Sequence, residues 1–355
     1  MKVAIYTIAL NEAKHVKRWY EASKEADYHL IADTGSTDDT VKVAEELGIK
    51  VYSISVRPWR FDDARNAALA LLPADIDYCI SLDMDEVLEP GWREELQKAY
   101  DNKIIRPIHT MVVDTEKGPD LTVEFDANRI HTRSNYRWKN SIHEAVNPYR
   151  IDETKMRIGL KIVHLPDNTK SRAQYLDLLE AAVEEDPSPR NLYYLGREYY
   201  FKEKFDKATE MLKRYVEISV FPGECSYAYR YLAKTDPDNA LDYLFKSIAI
   251  FPSREAVLAL ANHYYHKKMW KECYQASLEA IDIKEKKTDF MSEAWAWGHM
   301  AYDLAAVSAW QLGYWDDALR YGEIALEISP TDDRLQKNVE YYRSKVDGLH
   351  VQPNG

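Results

Sequence analysis

The sequence predicts an α/β domain with a mostly parallel sheet, followed by an all-α domain of repeated helices. Over about the first 100 residues, short apolar runs typical of strands alternate with segments of helical period, the pattern of a parallel sheet covered by helices. From Ser171 onward almost every segment has helical period, and small residues recur at a fixed spacing. Because 355 residues exceed one typical domain, we expect two domains.

Strand and helix signals alternate in the α/β part. The predicted strands cover residues 2–10, 30–32, 50–55 and 78–82, and helices between them end near residues 26, 48 and 72. Between residues 102 and 164, short β-like runs predict a mixed region on the edge of the sheet. Ligands of open α/β sheets bind at the carboxyl ends of the strands, so residues that follow these strands are the first candidates for a site.

The second half contains an internal repeat. In four successive units, two small residues stand twelve positions apart. The pairs are Gly196 and Ala208, Ala228 and Ala240, Ala261 and Cys273, and Ala306 and Ala318. The first two intervals between units are close to the period of about 34 residues of tetratricopeptide helix pairs. The longer third interval predicts an insertion near residues 283–297. We expect an α/β domain over 1–170, a tetratricopeptide-like domain over 171–347 and a flexible tail over 348–355.

Composition excludes several classes of protein and site. The formal charge of −12 at pH 7 gives no overall attraction to nucleic acid or anionic lipid. Cys79, Cys225 and Cys273 lack the spacing of a metal or redox site and are expected to be buried. No apolar run approaches the roughly 20 residues that span a bilayer, and Glu12 stands too early for a signal peptide. We therefore expect a cytoplasmic protein that is not an integral membrane protein.

Three carboxylates follow the strand predicted over residues 78–82. The run SLDMDEVLEP places Asp83, Asp85 and Glu86 at the carboxyl end of this strand. Clustered carboxylates repel each other unless a cation neutralises them, and oxygen ligands suit Mg²⁺ or Mn²⁺. A cation there would bridge the phosphates of a sugar nucleotide and stabilise the departing diphosphate. A solvated surface turn is the alternative explanation for such a triplet taken alone.

Four further segments carry polar residues that suit the same chemistry. In ADTGSTDDT a strand ends at Asp33 and a glycine turn opens a helix, and in FDDARNAAL a helix carries Arg65, which is either a phosphate ligand or a surface charge. The run WKNSIHEAV places His143 and Glu144 in a polar segment, and IVHLP ends a strand at His164. An ordinary strand-end histidine is the alternative for His164.

Together these segments resemble the family 2 glycosyltransferases of GT-A fold. The resemblance covers about residues 1–170 and rests on TIALNE, ADTGSTDDT, ARNAA, LDMDE, IHE and HLP in that order. The nearest look-alikes are lipopolysaccharide-core glucosyltransferases and bacteriocin peptide S-glycosyltransferases, and the latter also carry a helical repeat domain. The resemblance implies a Rossmann-like mixed sheet in the catalytic domain.

The resemblance also implies a role for each matching residue. Nucleotide-sugar binding is implied for Leu10, Asn11, Glu12, Asp33, Arg65 and Asp83. Ligation of Mn²⁺ or Mg²⁺ is implied for Asp83, Asp85 and His164. A catalytic role is implied for Asp85, His143 and Glu144. Glu144 either removes the acceptor proton or only orients the acceptor.

The resemblance implies inverting transfer from a nucleotide-sugar, with UDP as the expected nucleotide. Such a transfer is one in-line displacement, so it needs a base for the acceptor proton and a cation for the leaving group. A glycosidase would use two carboxylates flanking the bond and no metal, and the acidic strand end with a histidine favours the transferase. The contrasting hypothesis is a non-enzymatic scaffold, which predicts no metal-dependent nucleotide binding.

The sequence leaves the acceptor open. A peptide or protein side chain, a surface saccharide and a hydroxymethylated base in phage DNA are all compatible with it. The basic and aromatic run ANRIHTRSNYRWKN, which contains Arg129 and Arg133, could guide an anionic acceptor, although it is also part of the family's usual sequence. The helical array is expected to bind the acceptor or to mediate homodimerisation.

Overall fold

The structure is a computed structural model and describes residues 1–113, 122–167, 175–287 and 290–350. The chain forms two compact units, the first made of Met1–Glu116 and Glu124–Pro187 and the second of Lys117–Val123 and Ser188–Gly355. The domain boundary predicted after residue 170 lies outside the described residues and stays a prediction. Over the residues that the structure describes, no helix is both long enough and apolar enough to cross a membrane.

The first unit alternates strands and helices as the sequence predicts. Its strands are β1 (Val3–Ala9), β2 (Tyr28–Asp33), β3 (Lys50–Ser53), β4 (Tyr78–Ser81), β5 (Glu86–Leu88), β6 (Arg106–Val113), β7 (Val123–Ala127), β8 (Ile130–Thr132), β9 (Tyr136–Lys139), β10 (Ala145–Pro148) and β11 (Lys155–His164). Its helices are α1 (Ala13–Ser23), α2 (Thr40–Glu46), α3 (Phe61–Ala70), α4 (Trp92–Asp101) and α5 (Tyr175–Glu185).

The main sheet of this unit is mixed, with strand order β3-β2-β1-β4-β8. Strand β1 pairs in parallel with both β2 and β4, and β8 closes the sheet in antiparallel pairing with β4. The chain therefore builds outward from β1 to β2 and β3, and then places β4 on the other side. Such a reversal of strand order opens a crevice at the carboxyl ends of the strands, where α/β proteins bind ligands.

Smaller strands form the mixed region predicted after residue 102. Strands β7, β6, β11 and β5 are neighbours in that order, with β6 and β11 parallel and β5 antiparallel to β11. Strands β9 and β10 form an antiparallel pair. The β5–β11 pairing sets His164 opposite Glu86, so the end of the last strand reaches the acidic run after β4.

Apolar residues on both faces of the main sheet form its core and hold the strand ends in place. Val3, Ile5, Ile31 and Ile80 are fully buried, because a central parallel strand has helices or strands on both faces. Trp19 on α1 is also fully buried, and its indole Nε1–H donates to the carbonyl of residue 82 at 2.9 Å. This contact fixes the backbone that leads into Asp83.

The second unit is an array of helices that pack in consecutive pairs. Its helices are α6 (Pro189–Phe201), α7 (Phe205–Ile218), α8 (Pro222–Thr235), α9 (Ala240–Ile250), α10 (Arg254–His266), α11 (Trp270–Asp282), α12 (Ala294–Trp297), α13 (Met300–Leu312), α14 (Trp315–Ile328) and α15 (Asp333–His350). A short strand, β12 (Ser292–Glu293), and the helix α12 lie in the predicted insertion, which confirms it. Helix α15 continues to His350, into the segment predicted as a tail, and the remaining tail residues lie outside the described part.

The repeated small residues stand where the two helices of a pair meet. All eight are buried, and each pair contributes one residue to each helix, as in α6 and α7. At Gly196 a β-carbon would lie 2.8 Å from Cγ of Leu212 on α7, closer than carbon atoms pack. The tetratricopeptide-like fold class is therefore confirmed. The three cysteines are buried free thiols, as their spacing predicts.

Candidate functional site

The ends of β1 and β2 form one side of the candidate site. The register sets Ala9 opposite Asp33, so the residues that follow both strands emerge side by side. Asn11 has a φ of 56°, a left-handed conformation that asparagine tolerates. Its side-chain oxygen accepts the backbone N–H of Thr37 at 2.8 Å, and its own N–H donates to Ser36 Oγ at 2.9 Å. Asn11 thus fastens the two loops together.

Asp33, Glu12 and Leu10 complete this side. The Asp33 carboxylate is buried and accepts backbone N–H groups from Gly35 and Ser36 at 3.0 and 3.1 Å, which shapes the turn after β2. Glu12 is also buried, whereas Leu10 is 53% exposed. The structure therefore brings together four of the six residues expected at the nucleotide-sugar, and one of them, Leu10, has an apolar side chain at the surface.

Arg65 on α3 is the centre of a buried charge network. Its Nη2 lies 2.7 Å from Oδ1 of Asp83, its Nη1 donates to Ser81 Oγ at 3.0 Å, and its Nε donates a hydrogen bond to Oε1 of Glu144. Burial alone would lower the pKa of Arg65, but the charges of Asp83 and Glu144 raise it above its ordinary value. Arg65 is therefore a buried cation, and its interpretation as a surface charge is wrong.

Two hydrogen bonds between α3 and β9 hold Arg65 beside Glu144. The Asn66 side chain donates to the carbonyl of Trp138 and accepts its N–H, both at 2.9 Å. The Trp138 ring then lies under the Arg65 guanidinium, 4.9 Å from its carbon, a cation–π geometry. Both groups of the Asn66 side-chain amide are thus used to position β9 against α3.

Arg129 is a site residue that sequence reasoning noted only as part of a basic run. It precedes β8, and the pairing of β8 with β4 sets it beside the acidic residues. Its Nη1 donates to Asp83 Oδ2 and to Glu86 Oε1, both at 2.9 Å. Burial alone would raise the pKa of Asp83, but Arg65 and Arg129 hold it well below its ordinary value. Burial raises the pKa of Glu86, and Arg129 opposes that change.

Asp85 and His164 form a separate pair. His164 ends β11, and its Nε2 lies 3.5 Å from Oδ2 of Asp85. The N–H of Leu165 donates to the backbone carbonyl of Asp85 at 2.8 Å, which fixes the two chain segments side by side. Burial alone would lower the pKa of His164, but the hydrogen bond with Asp85 and the neighbouring carboxylates raise it.

These contacts decide which residues fit a divalent cation. Within the described part of the chain, no group of three or more His, Cys, Asp or Glu side chains is arranged to hold a metal ion. Asp85 and His164 fit a cation that takes its remaining ligands from a diphosphate and water, as Mg²⁺ sites often do. Asp83, in contrast, has one carboxylate oxygen on each of two arginines. Its role as a metal ligand remains a prediction with no contact in its favour.

His143 and Glu144 lie between β9 and β10. His143 has a φ of 49°, and its ring meets that of Tyr175 edge-on at 5.3 Å. The Glu144 side chain is 11% exposed and is fixed by Arg65. The structure therefore connects Glu144 to Asp83 through one guanidinium, whereas the contact of His143 is with an aromatic ring.

Comparison with known proteins assigns part of the first unit to a family. Residues 4–151 match the family model "Glycosyl transferase family 2". The first unit contains a family 2 glycosyltransferase domain. The site residues from Leu10 to Glu144 lie inside the matched range, whereas His164 lies beyond it.

Curated relatives match a part of the chain. An "Uncharacterized glycosyltransferase" of Rickettsia felis is 32% identical over 100 residues, which are 28% of this chain and 34% of that protein. A Rickettsia conorii protein of the same description is 31% identical over the same shares. The chain thus spans about a third of the length of the curated relatives that it matches.

Solved structures match the chain with low similarity. The S. aureus TarS 1–349 structure in complex with UDP-GlcNAc is 12% identical, covers 82% of this chain and 96% of its own, and has a TM-score of 0.38. The MamA structure is 22% identical, covers 45% of this chain and 89% of its own, and has a TM-score of 0.37. TM-scores this low say nothing about ligands of the family 2 domain.

Proposed function

We propose that the protein is an inverting glycosyltransferase that moves a sugar from a nucleotide-sugar to a hydroxyl or thiol of a macromolecular acceptor. The observation that carries the proposal is the buried chain of contacts Glu144–Arg65–Asp83, which joins a candidate base to the acidic strand end inside a family 2 domain. A single in-line displacement needs a general base and a leaving-group site that belong to one site and lie on opposite faces of the anomeric carbon.

The donor side of the site is built from the ends of β1, β2 and β4. We propose UDP as the nucleotide, with its base near Asp33 and against the exposed Leu10, and its ribose near Asp83. Asp85 and His164 would hold Mn²⁺ or Mg²⁺, which when bound stabilises negative charge on the departing diphosphate. The site is partly buried, and its low dielectric strengthens the interaction between the bound cation and the diphosphate.

The acceptor side is expected at Glu144. Arg65 fixes this side chain, so that the other carboxylate oxygen has a defined position from which to accept the proton of the attacking hydroxyl or thiol. The alternative role, in which Glu144 only orients the acceptor, predicts a smaller loss of rate for Glu144→Gln. Comparing kcat for Glu144→Gln with that of the wild type across pH separates the two roles.

Hydrolysis of nucleotide-sugars in the absence of acceptor tests the proposal. We expect UDP-sugar hydrolysis that is stopped by EDTA, restored by Mn²⁺ and reduced at least about a hundredfold by Asp85→Ala. Asp75→Ala is the matched control, because Asp75 is an exposed partner of Lys2 ahead of β4. Hydrolysis that ignores both EDTA and Asp85→Ala would contradict the proposal.

Two further parts of the proposal concern partners and place. We expect the helical unit to bind a peptide, protein or saccharide acceptor or to form homodimers, and we expect the protein to act in the cytoplasm. Glycosylation of hydroxymethylated DNA is the alternative reaction, and a scaffold without activity is the alternative class. Transfer assays with peptide, saccharide and modified-DNA acceptors distinguish the reactions. If UDP and Mn²⁺ together do not raise the Tm, the scaffold is favoured.

A further inference from the structure

The acidic run after β4 is divided into two differently neutralised pairs. Asp83 and Glu86 share one guanidinium, because Arg129 Nη1 lies 2.9 Å from an oxygen of each. Asp85, which stands between them in the sequence, is instead beside His164 at 3.5 Å. The first pair is neutralised by arginine, which is permanently charged and cannot bind a metal ion. The second pair consists of an imidazole and a carboxylate, which are common metal ligands.

The Asp83–Glu86 pair depends on Arg129 for its stability. Glu86 is 3% exposed and the Asp83 side chain is 26% exposed, and Glu86 Oε2 accepts the N–H of Asp83 at 2.9 Å, so the two carboxylates are held close together with limited access to water. Arg65 contacts Asp83 on its other oxygen and has no contact with Glu86 among the described residues. Without Arg129, the buried carboxylate of Glu86 and the partly buried carboxylate of Asp83 would therefore face each other, and the remaining cation, Arg65, would contact only Asp83.

We infer that Arg129 is a positioning residue that acts as an internal cation: it occupies the place between Asp83 and Glu86 and thereby directs a divalent cation to Asp85 and His164. The inference rests on the proposed function, because it assigns the place of the cation that the transfer uses. The same inference explains why each Asp83 oxygen contacts an arginine: the carboxylate is held in place as a hydrogen-bond acceptor for the nucleotide-sugar.

Substitution of Arg129 by methionine tests this inference without any donor present. Mn²⁺ binding, counted by electron paramagnetic resonance, is expected to gain one site in Arg129→Met, with a dissociation constant at least about tenfold below any nucleotide-free binding by wild type. Mn²⁺ is also expected to raise the Tm of Arg129→Met more than that of wild type, because the cation replaces the lost guanidinium charge. Equal Mn²⁺ stoichiometry and affinity in both proteins would overturn the inference.

Three further variants separate positioning from a general loss of structure. Asp83→Asn combined with Arg129→Met removes one carboxylate, and we expect the additional Mn²⁺ site to disappear. Arg129→Lys keeps the charge, so we expect wild-type Mn²⁺ stoichiometry with a raised KM for the donor, since an ammonium does not span two carboxylates as a guanidinium does. Arg133→Met is the matched control, because Arg133 donates to the backbone carbonyls of residues 70, 72 and 73. Mn²⁺ binding should not change in this variant.

The inference can still be tested if Arg129→Met does not fold without Mn²⁺. Mn²⁺ should then restore its folded fraction, measured by circular dichroism, and failure to restore it would count against the inference. The result is also separable from the proposed function. A wild-type protein without UDP-sugar hydrolysis refutes that function, whereas the additional Mn²⁺ site in Arg129→Met is measured with no donor or acceptor.

Discussion

At the scale of single residues, two arginines organise the candidate site. Arg65 contacts Asp83 and Glu144, and Arg129 contacts Asp83 and Glu86, so Asp83 is held from both sides. Each guanidinium replaces water around a carboxylate that burial would otherwise destabilise. The carboxylates therefore have defined positions before any substrate binds, which is the condition for electrostatic stabilisation of a transition state.

Arg65→Met is expected to be strongly destabilised and inactive, because the carboxylates of Asp83 and Glu144, whose side chains are only 26% and 11% exposed, lose one counter-charge. Breaking a buried ion pair costs about 3–5 kcal/mol of unfolding free energy, measured by urea denaturation. Arg60→Met is the control: Arg60, which precedes α3, is 30% exposed and pairs with Asp62 and Glu185. Exposed pairs contribute at most about 1 kcal/mol, and a similar loss for both variants would contradict the assignment.

At the scale of elements, strand β6 carries a histidine that the fold holds in its neutral form. His109 is fully buried, and neither of its ring nitrogens has a hydrogen-bond partner among the described residues. Burial, with Arg129 and Arg106 nearby, lowers the pKa of His109 to about 3. The unfolded chain, with an ordinary histidine pKa near 6.5, therefore binds this proton at a higher pH than the folded chain does.

The sign of the resulting pH dependence follows from that difference. Stability from a neutral His109 is fully present above pH about 6.5 and is lost as pH falls toward 3, with a slope of up to about 1.4 kcal/mol per pH unit. His109→Leu should remove that slope between pH 6 and 4, in urea unfolding series at fixed ionic strength. His29→Leu is a comparison with a partly buried histidine, and an unchanged slope in His109→Leu would contradict a neutral buried imidazole.

Helix pairs of the second unit depend on the absence of a β-carbon at one position. At Gly196 an added β-carbon would lie 2.8 Å from Cγ and 2.9 Å from Cδ2 of the fully buried Leu212. Gly196→Val is expected to lower the unfolding free energy by about 1–3 kcal/mol, because overpacking outweighs the gain in helix propensity. In a Leu212→Ala background the same substitution should cost less. Equal costs in both backgrounds, in a double-mutant cycle, would exclude this contact as the cause.

At the scale of the whole molecule, the site residues all belong to the first unit, and the second unit presents apolar side chains at its surface. Phe201 and Phe205, at the turn between α6 and α7, are 58% and 44% exposed. Aromatic side chains are enriched in protein–protein interfaces. The division of the chain therefore separates the candidate site from the part that is expected to bind partners.

Phe201→Ala combined with Phe205→Ala should leave UDP-sugar hydrolysis within about twofold of wild type, because surface substitutions have small effects on stability. The measurement is the hydrolysis rate without acceptor, with Asp85→Ala as the inactive reference. A loss of hydrolysis comparable to that of Asp85→Ala, with an unchanged Tm, would show that the second unit takes part in donor chemistry.

The sequence by itself determined the order of the strands and helices, the insertion in the helical array and the placement of Asp33 and Asp83 at strand ends. These features depend on local periodicity and on spacing along the chain, as in the pairs of small residues beginning with Gly196 and Ala208. The family strings indicated Arg65, Asp85, His164 and Glu144 without their contacts.

Only the tertiary structure decided which charges neutralise each other. Arg129 reaches Asp83 and Glu86 across 46 and 43 positions of sequence, because β8 folds back antiparallel onto β4. The strand register likewise pairs Asp85 with His164 and leaves Asp83 to two arginines. Ion pairing depends on separation in space and on burial, and no pattern along the chain records either quantity.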